Sequence, residues 1–167
     1  MDAEKLIAGR KILIVDDEED VLEELIELLD ICKIDTASSF EEGKERLENE
    51  EYDVAILDIM GVKGFELLEI ARKQKIPALM LTAHALTEES LKRSAEEGAA
   101  YFAPKEKMKN IHLFVADVIE AGDKKKNPWR KWFDRLGGFY DKRFHGTDWR
   151  EQEKEFWEER LKRLPGI

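Results

Sequence analysis

Cysteine is nearly absent from this sequence: Cys32 stands alone among 167 residues, so no disulfide can form within the chain. Its place at the end of an apolar helical pattern reads as a small core side chain, and a reducing compartment suits it. Histidine is almost as scarce, and His84, His112 and His145 share no metal-ligand spacing. Long apolar runs are missing too. No stretch approaches the roughly 18 unbroken apolar residues of a membrane span. The acidic N-terminus also lacks the basic and apolar regions of a signal peptide. The expectation is a soluble, cytoplasmic protein with no membrane partner. Positive charge is in deficit: 28 Lys and Arg face 38 Asp and Glu, a net −10 that would repel a phosphate backbone and makes a nucleic-acid partner unlikely.

What is present is unevenly spread. Residues 1–123 carry 15 basic against 30 acidic side chains, whereas residues 124–167 carry 13 against 8, so the sign of the charge reverses at that point. Nine of the 15 aromatics, including all four tryptophans, also lie after residue 123. The sequence therefore divides into an acidic domain, 1–123, and a basic, aromatic-rich helical extension, 124–167.

Within the first part, short apolar runs alternate with helical patterns. Lys11 to Val15, Ile34 to Ala37, Val54 to Asp58, Ala78 to Thr82 and Ala100 to Ala103 read as strands. Between them, Val21, Leu22, Leu25, Ile26 and Leu29 repeat at helical spacing, as do Phe65, Leu67, Leu68 and Ile70. Ser39 with Glu42 looks like a capping box, Thr87 like an N-cap, and Gly98 like a stop signal. Ile111, Phe114, Val115, Val118 and Ile119 complete the pattern. Such alternation predicts an α/β fold, a doubly wound five-stranded parallel sheet with helices on both faces.

In such a sheet the strand ends share one edge, where ligand chemistry sits. Four runs end on residues that suit phosphoryl chemistry: Asp16 and Asp17 after ILIV, Asp58 after VAIL, Thr82 after ALML, and Lys105 after YFAP. An aspartate can attack phosphorus to form an acyl phosphate when nearby groups neutralise the charge, which makes Asp58 the candidate nucleophile. Asp16, Asp17 and Asp58 crowded together call for a hard divalent cation, and Mg²⁺ fits best. Lys105 would supply a point charge and the Thr82 hydroxyl a hydrogen bond to other phosphoryl oxygens. Each residue alone has an ordinary explanation, as cap, turn former, strand end or solvated charge. Their convergence does not. The run Glu18, Glu19, Asp20, Glu23 and Glu24 reads as a solvated helix face whose first turn favours negative charge.

ILIVDDEED (Ile12 to Asp20), VAILDIMG (Val54 to Gly61), LMLTAH (Leu79 to His84) and EEGAAYFAPK (Glu96 to Lys105) together resemble the receiver domain of two-component response regulators, over about Lys11 to Ala121. The resemblance implies a flavodoxin-like sheet of order 2-1-3-4-5. It implies a phosphorelay protein, not a turnover enzyme, whose Asp58 accepts a phosphoryl group from a sensor histidine kinase or histidine phosphotransfer protein. It further implies that Asp17 and Asp58 ligate Mg²⁺ directly, with Asp16 acting partly through water and the Met60 backbone carbonyl completing the set. Thr82 and Phe102 would form the switch pair, and Met60 and His84 hold positions that tune phosphoryl lifetime in receivers. Two features depart from the pattern. Glu106 follows Lys105 where receivers usually have proline, and the IMGVK loop after Asp58 is short, without the usual proline and aspartate.

In the extension, Asn127 and Pro128 suit a helix start, and Trp129, Trp132, Phe133, Leu136 and Tyr140 follow at helical spacing, interrupted by Gly137 and Gly138. Asp148 with Glu151 would cap a second helix carrying Phe156, Trp157, Leu161 and Leu164. So much apolar surface must be covered, by the receiver part, by a second copy in a homodimer, or by a downstream protein. The expected output is through protein contacts. The alternatives are a DNA-binding transcription regulator with a minimal C-terminal reader, and a degenerate receiver that only scaffolds.

Overall fold

A computed structural model of the chain describes residues 2–83, 87–144, 149–152 and 154–162. His84, His145, Asp148 and Leu164, on which sequence expectations fell, lie outside the described residues.

Five strands, β1 (Lys11–Val15), β2 (Lys33–Ala37), β3 (Val54–Asp58), β4 (Ala78–Thr82) and β5 (Tyr101–Pro104), form one parallel sheet in the order β2-β1-β3-β4-β5. β3 and β4 are buried along their whole length, which is why they read as unbroken apolar runs rather than alternating ones. β2, at one edge, is half exposed and correspondingly mixed in sequence. The expected strands agree with these to within a residue or two at either end, the ordinary uncertainty of a boundary.

The helices are α1 (Ala3–Ile7), α2 (Glu19–Leu28), α3 (Phe40–Asn49), α4 (Gly64–Lys73), α5 (Glu88–Glu96), α6 (Ile111–Asp123), α7 (Pro128–Arg143), α8 (Trp149–Gln152) and α9 (Lys154–Lys162), with a 3₁₀ turn over Lys105–Asn110. α1 and α2 pack with α6 on one face; α3 and α4 pack together on the other. The short α1 has no periodicity to announce it in the sequence, yet it buries Leu6 and Ile7. Among the described residues, no helix is long and apolar enough to cross a membrane.

Local chemistry sets the helix starts. The Ser39 hydroxyl accepts the Glu42 N–H at 3.2 Å, while the Glu42 carboxylate turns to the Ser38 N–H at 3.1 Å, one residue before the partner a capping box would give it. Thr87 and Ser90 exchange both capping bonds at the start of α5. Asn127 accepts the Trp129 N–H at 2.9 Å with Pro128 at the first helical position. α7 then runs unbroken through Gly137 and Gly138, where the sequence suggested an interruption; tertiary packing outweighs the modest helical cost of two glycines.

The C-terminal helices fold back on the sheet. Trp129, Trp132, Leu136, Tyr140, Trp149 and Trp157 belong to the same buried cluster as the sheet residues. Trp132 stacks on Tyr140 and on Trp157, with ring centroids 5.2 and 6.1 Å apart. Beneath α7, the buried carboxylate of Asp117 on α6 accepts the Tyr101 hydroxyl at 2.7 Å and a two-pronged contact from Arg135, with Nε at 2.7 Å and the second nitrogen at 3.0 Å. That contact raises the Arg135 pKa, while burial, followed by the Asp117 charge, raises that of Tyr101, so the phenol stays protonated. A carboxylate in this position is tolerable only while paired. Replacing Arg135 by Met is therefore expected to lower stability in urea unfolding by about 2–4 kcal/mol, with part of the loss recovered when Asp117→Asn is added. A loss under about 0.5 kcal/mol would show that Asp117 does not depend on the extension for its charge balance.

Candidate functional site

Parallel register brings the strand ends together. Val15 pairs with Leu57, so Asp16 and Asp58 leave the neighbouring interior strands β1 and β3 at the same level. Asp58 pairs with Leu81 and Thr82 with Pro104, which places Thr82 and then Lys105 one step further along the same edge. Asp16, Asp58 and Thr82 are buried, and Asp17 is exposed at the rim.

Lys105 is the hub. Its Nζ lies 3.0 Å from Asp16, 3.3 Å from Asp58 and 3.2 Å from Glu18. The Lys105 side chain is only 11% exposed, so these charges meet largely out of water and are weakly screened. No peptide bond among the described residues is cis, so the ammonium reaches both aspartates with Glu106, not proline, after it. Glu18 was read from sequence as part of a solvated helix face. It is indeed half exposed, but it also donates its backbone N–H to Asp16 Oδ1 at 2.9 Å and holds Lys105 with its carboxylate. Its position at the N-cap of α2, directly after two aspartates, is the signal that separates it from Glu19 and Glu23.

The electrostatics follow from burial and crowding. Burial, with the neighbouring Asp16 charge, pushes the Asp58 carboxyl from 3.8 up to about 7, against the opposing pull of Lys105. Burial raises Asp16 as well, partly offset by the Glu18 backbone N–H and by Lys105. Burial acts against the Lys105 ammonium, yet its carboxylate partners outweigh it and hold the lysine above its ordinary value.

One oxygen each from Asp16, Asp17 and Glu18 lies within 4.8 Å of the others, a set of hard donors. Asp16 Oδ2 is buried and takes no hydrogen bond; the Lys105 ammonium faces it at 3.0 Å. A buried carboxylate oxygen with spare capacity beside two more carboxylates fits a divalent cation of the Mg²⁺ type. Asp58, expected from sequence to share the ion with Asp16 and Asp17, joins this group through Lys105. The Met60 carbonyl accepts the Val62 N–H at 2.8 Å within the short loop, leaving its second lone pair for any ligand. The loop is tight. A Cβ on Gly61, at φ +77°, would overlap the Asp17 carboxylate, and one on Gly64 would overlap the Asp58 carbonyl. Phe102, the expected switch aromatic, is fully buried, its ring centroid 5.7 Å from that of Tyr140 on α7.

Comparison with known proteins agrees with this fold. Residues 12–116 match the response regulator receiver domain family. A CheY-like receiver domain protein from Methanospirillum hungatei JF-1 is 27% identical and superposes with a TM-score of 0.64, covering 70% of this chain and 98% of its own. A receiver domain protein from Clostridium thermocellum is 28% identical with a TM-score of 0.61, over 68% of this chain and 97% of its own. Among curated proteins, the Arabidopsis thaliana two-component response regulator ARR18 is 34% identical over 88 residues, 49% of this chain; the chain spans only 14% of that relative's length. With its match covering well over half the chain, this protein belongs to the response regulator receiver domain family.

Proposed function

We propose that this chain is a phosphorelay receiver in which Asp58 accepts the phosphoryl group, and that its output is a change in protein contacts. The observation that carries the reading is the bridge from Lys105 to both Asp16 and Asp58 at the carboxyl edge of the sheet. An Asp58 oxygen attacks the phosphorus of a phosphohistidine on a sensor kinase or phosphotransfer protein. The P–N bond breaks, and the imidazole leaves with the bonding pair and takes a proton from solvent. Mg²⁺, held by Asp16, Asp17 and Asp58 with the Met60 carbonyl, would supply neutralisation of phosphoryl charge. The Lys105 ammonium, 3.3 Å from Asp58, would neutralise charge beside the attacking carboxylate, and the hydroxyl of Thr82, at the end of the neighbouring strand, would donate to a phosphoryl oxygen. Thr82 and Phe102 would relay the change to the surface. On family membership the protein assists its own phosphorylation and dephosphorylation rather than turning over a substrate.

A DNA-reading extension finds no support in the fold. The tryptophans of the extension are buried in the shared core, while Glu151, Glu155, Glu158 and Glu159 are exposed on α8 and α9 and would face phosphates badly. A scaffold without chemistry is the reading that labelling excludes. With Mg²⁺ and acetyl phosphate, wild-type protein is expected to gain one phosphoryl group by intact mass and Asp58→Asn none. Equal labelling of both, or of neither, would remove the assignment.

The raised Asp58 pKa has a stability consequence. An acid titrating near 7 when folded and near 3.8 when unfolded binds its proton more tightly in the folded state. Stability of the metal-free protein therefore falls as pH rises from about 4 to about 7, and the cost persists above that. Asp58→Asn removes the charge, so it is expected to stabilise metal-free protein at pH 8 by about 2–4 kcal/mol, shrinking by more than half at pH 5. Chemical unfolding in EDTA at the two pH values measures this. A destabilised Asn variant at pH 8 would contradict it. Mg²⁺ should raise the melting temperature of wild-type protein and do so much less in Asp17→Asn.

A further inference from the structure

β5 has a strand neighbour on one side only, yet it is the strand that delivers Lys105. Its other side is held by α7, which lies outside the residues that match the receiver family. The Trp129 indole donates to the Ala99 carbonyl at 3.0 Å, just before β5 begins. The Trp132 indole donates to the Phe102 carbonyl at 2.7 Å, and the Tyr140 hydroxyl lies 3.5 Å from the same oxygen. Beyond Lys105 the contacts continue. Arg143 pairs with Glu106 at 3.5 Å, and the Lys107 ammonium lies 5.3 Å from the centroid of the Phe139 ring. The chain is thus tied to one face of one helix three residues before Lys105 and again one and two residues after it.

A lysine side chain is long and flexible, so where its ammonium rests depends on how firmly its backbone is fixed. The backbone of an edge strand is the least constrained of a sheet, and the 3₁₀ turn that begins at Lys105 adds little rigidity. Two fully buried indoles donating to main-chain carbonyls supply that constraint, because each bond is both desolvated and directional. Both partners of the Arg143–Glu106 pair are half exposed, so this contact adds little to stability.

We propose that α7 is a positioning element for phosphoryl transfer: Trp132 and Arg143, acting through Phe102 and Glu106, hold Lys105 where it neutralises the charge at Asp58. The inference rests on Asp58 being the phosphoacceptor. It gives the extension a role in the chemistry of the site, beyond covering apolar surface.

The test is the rate of Mg²⁺-dependent labelling by acetyl phosphate in the full chain, measured for Trp132→Phe combined with Arg143→Gln, each with Lys105 present and with Lys105→Met. Phe keeps an aromatic ring at this fully buried position but removes the indole donor together with part of the ring volume, a packing loss that the Lys105→Met background shares. With Lys105 present, the double variant is expected to label about fivefold or more slowly, as small misplacements of a reacting group do. In the Lys105→Met background the same changes should cost less than about twofold, because the group they position is gone. Arg143→Lys should restore most of the Arg143 contribution. An equal loss in both backgrounds would reduce α7 to a structural role, and an unchanged rate with Lys105 present would remove the proposal. Where Trp132→Phe fails to fold, Arg143→Gln alone, on the exposed surface, makes the same comparison. A wild type that does not label would instead overturn the assignment of Asp58, so the two failures are distinguishable.

Discussion

The structure depends on one ammonium placed among carboxylates. Asp16 and Asp58 leave adjacent interior strands at the same level because a parallel sheet in this register gives them no choice. Buried and close together, they would each be costly as anions. Lys105 lies 3.0 Å from one and 3.3 Å from the other, and even so the Asp58 carboxyl remains at about 7. The site is therefore short of positive charge. That shortage suits a site that takes up a divalent cation, and it is a strain the rest of the fold must hold in place.

The fold does so in layers. Buried strands fix the levels of Asp16, Asp58 and Thr82. The short loop after Asp58 is tight: Gly64 backs directly onto the Asp58 carbonyl, where a Cβ would clash with main chain, and Gly61 takes the left-handed φ of +77° beside the Asp17 carboxylate. Lys105 has no such interior strand beneath it. It follows the edge strand, and what steadies that edge is the aromatic face of α7 together with the Tyr101–Asp117–Arg135 network under it. The residues that make the extension part of the core also bond to the main chain of β5, the strand that leads into Lys105.

Much of this was legible in the sequence, for a physical reason. Strands buried on both faces must be apolar throughout, so the first polar residue after each run marks the carboxyl end of the strand, and Asp16, Asp58, Thr82 and Lys105 all fell at such points. Glu18 was harder. In sequence it is one acid in a run of them, set apart by following two aspartates directly, and the fold shows its carboxylate turned toward Lys105 while Glu19 and Glu23 stay on the helix face. The extension illustrates a different limit. Periodicity told which face of α7 is apolar, but not that β5 would be the surface covering it, since amphipathicity carries no record of its partner. Nor could the Gly137–Gly138 pair reveal that packing would carry the helix through.

The account turns on the charge state of Asp58 before any phosphoryl group or metal arrives. Carbon-13 NMR of the Asp58 side-chain carboxyl, followed across pH in metal-free protein, reads it directly. The account predicts a midpoint raised to about 7, displaced higher still when Lys105 is replaced by Met. A midpoint near the ordinary 3.8, unmoved by that replacement, would mean that Asp58 is neither desolvated nor bridged, and the arrangement described at the edge of the sheet would not exist.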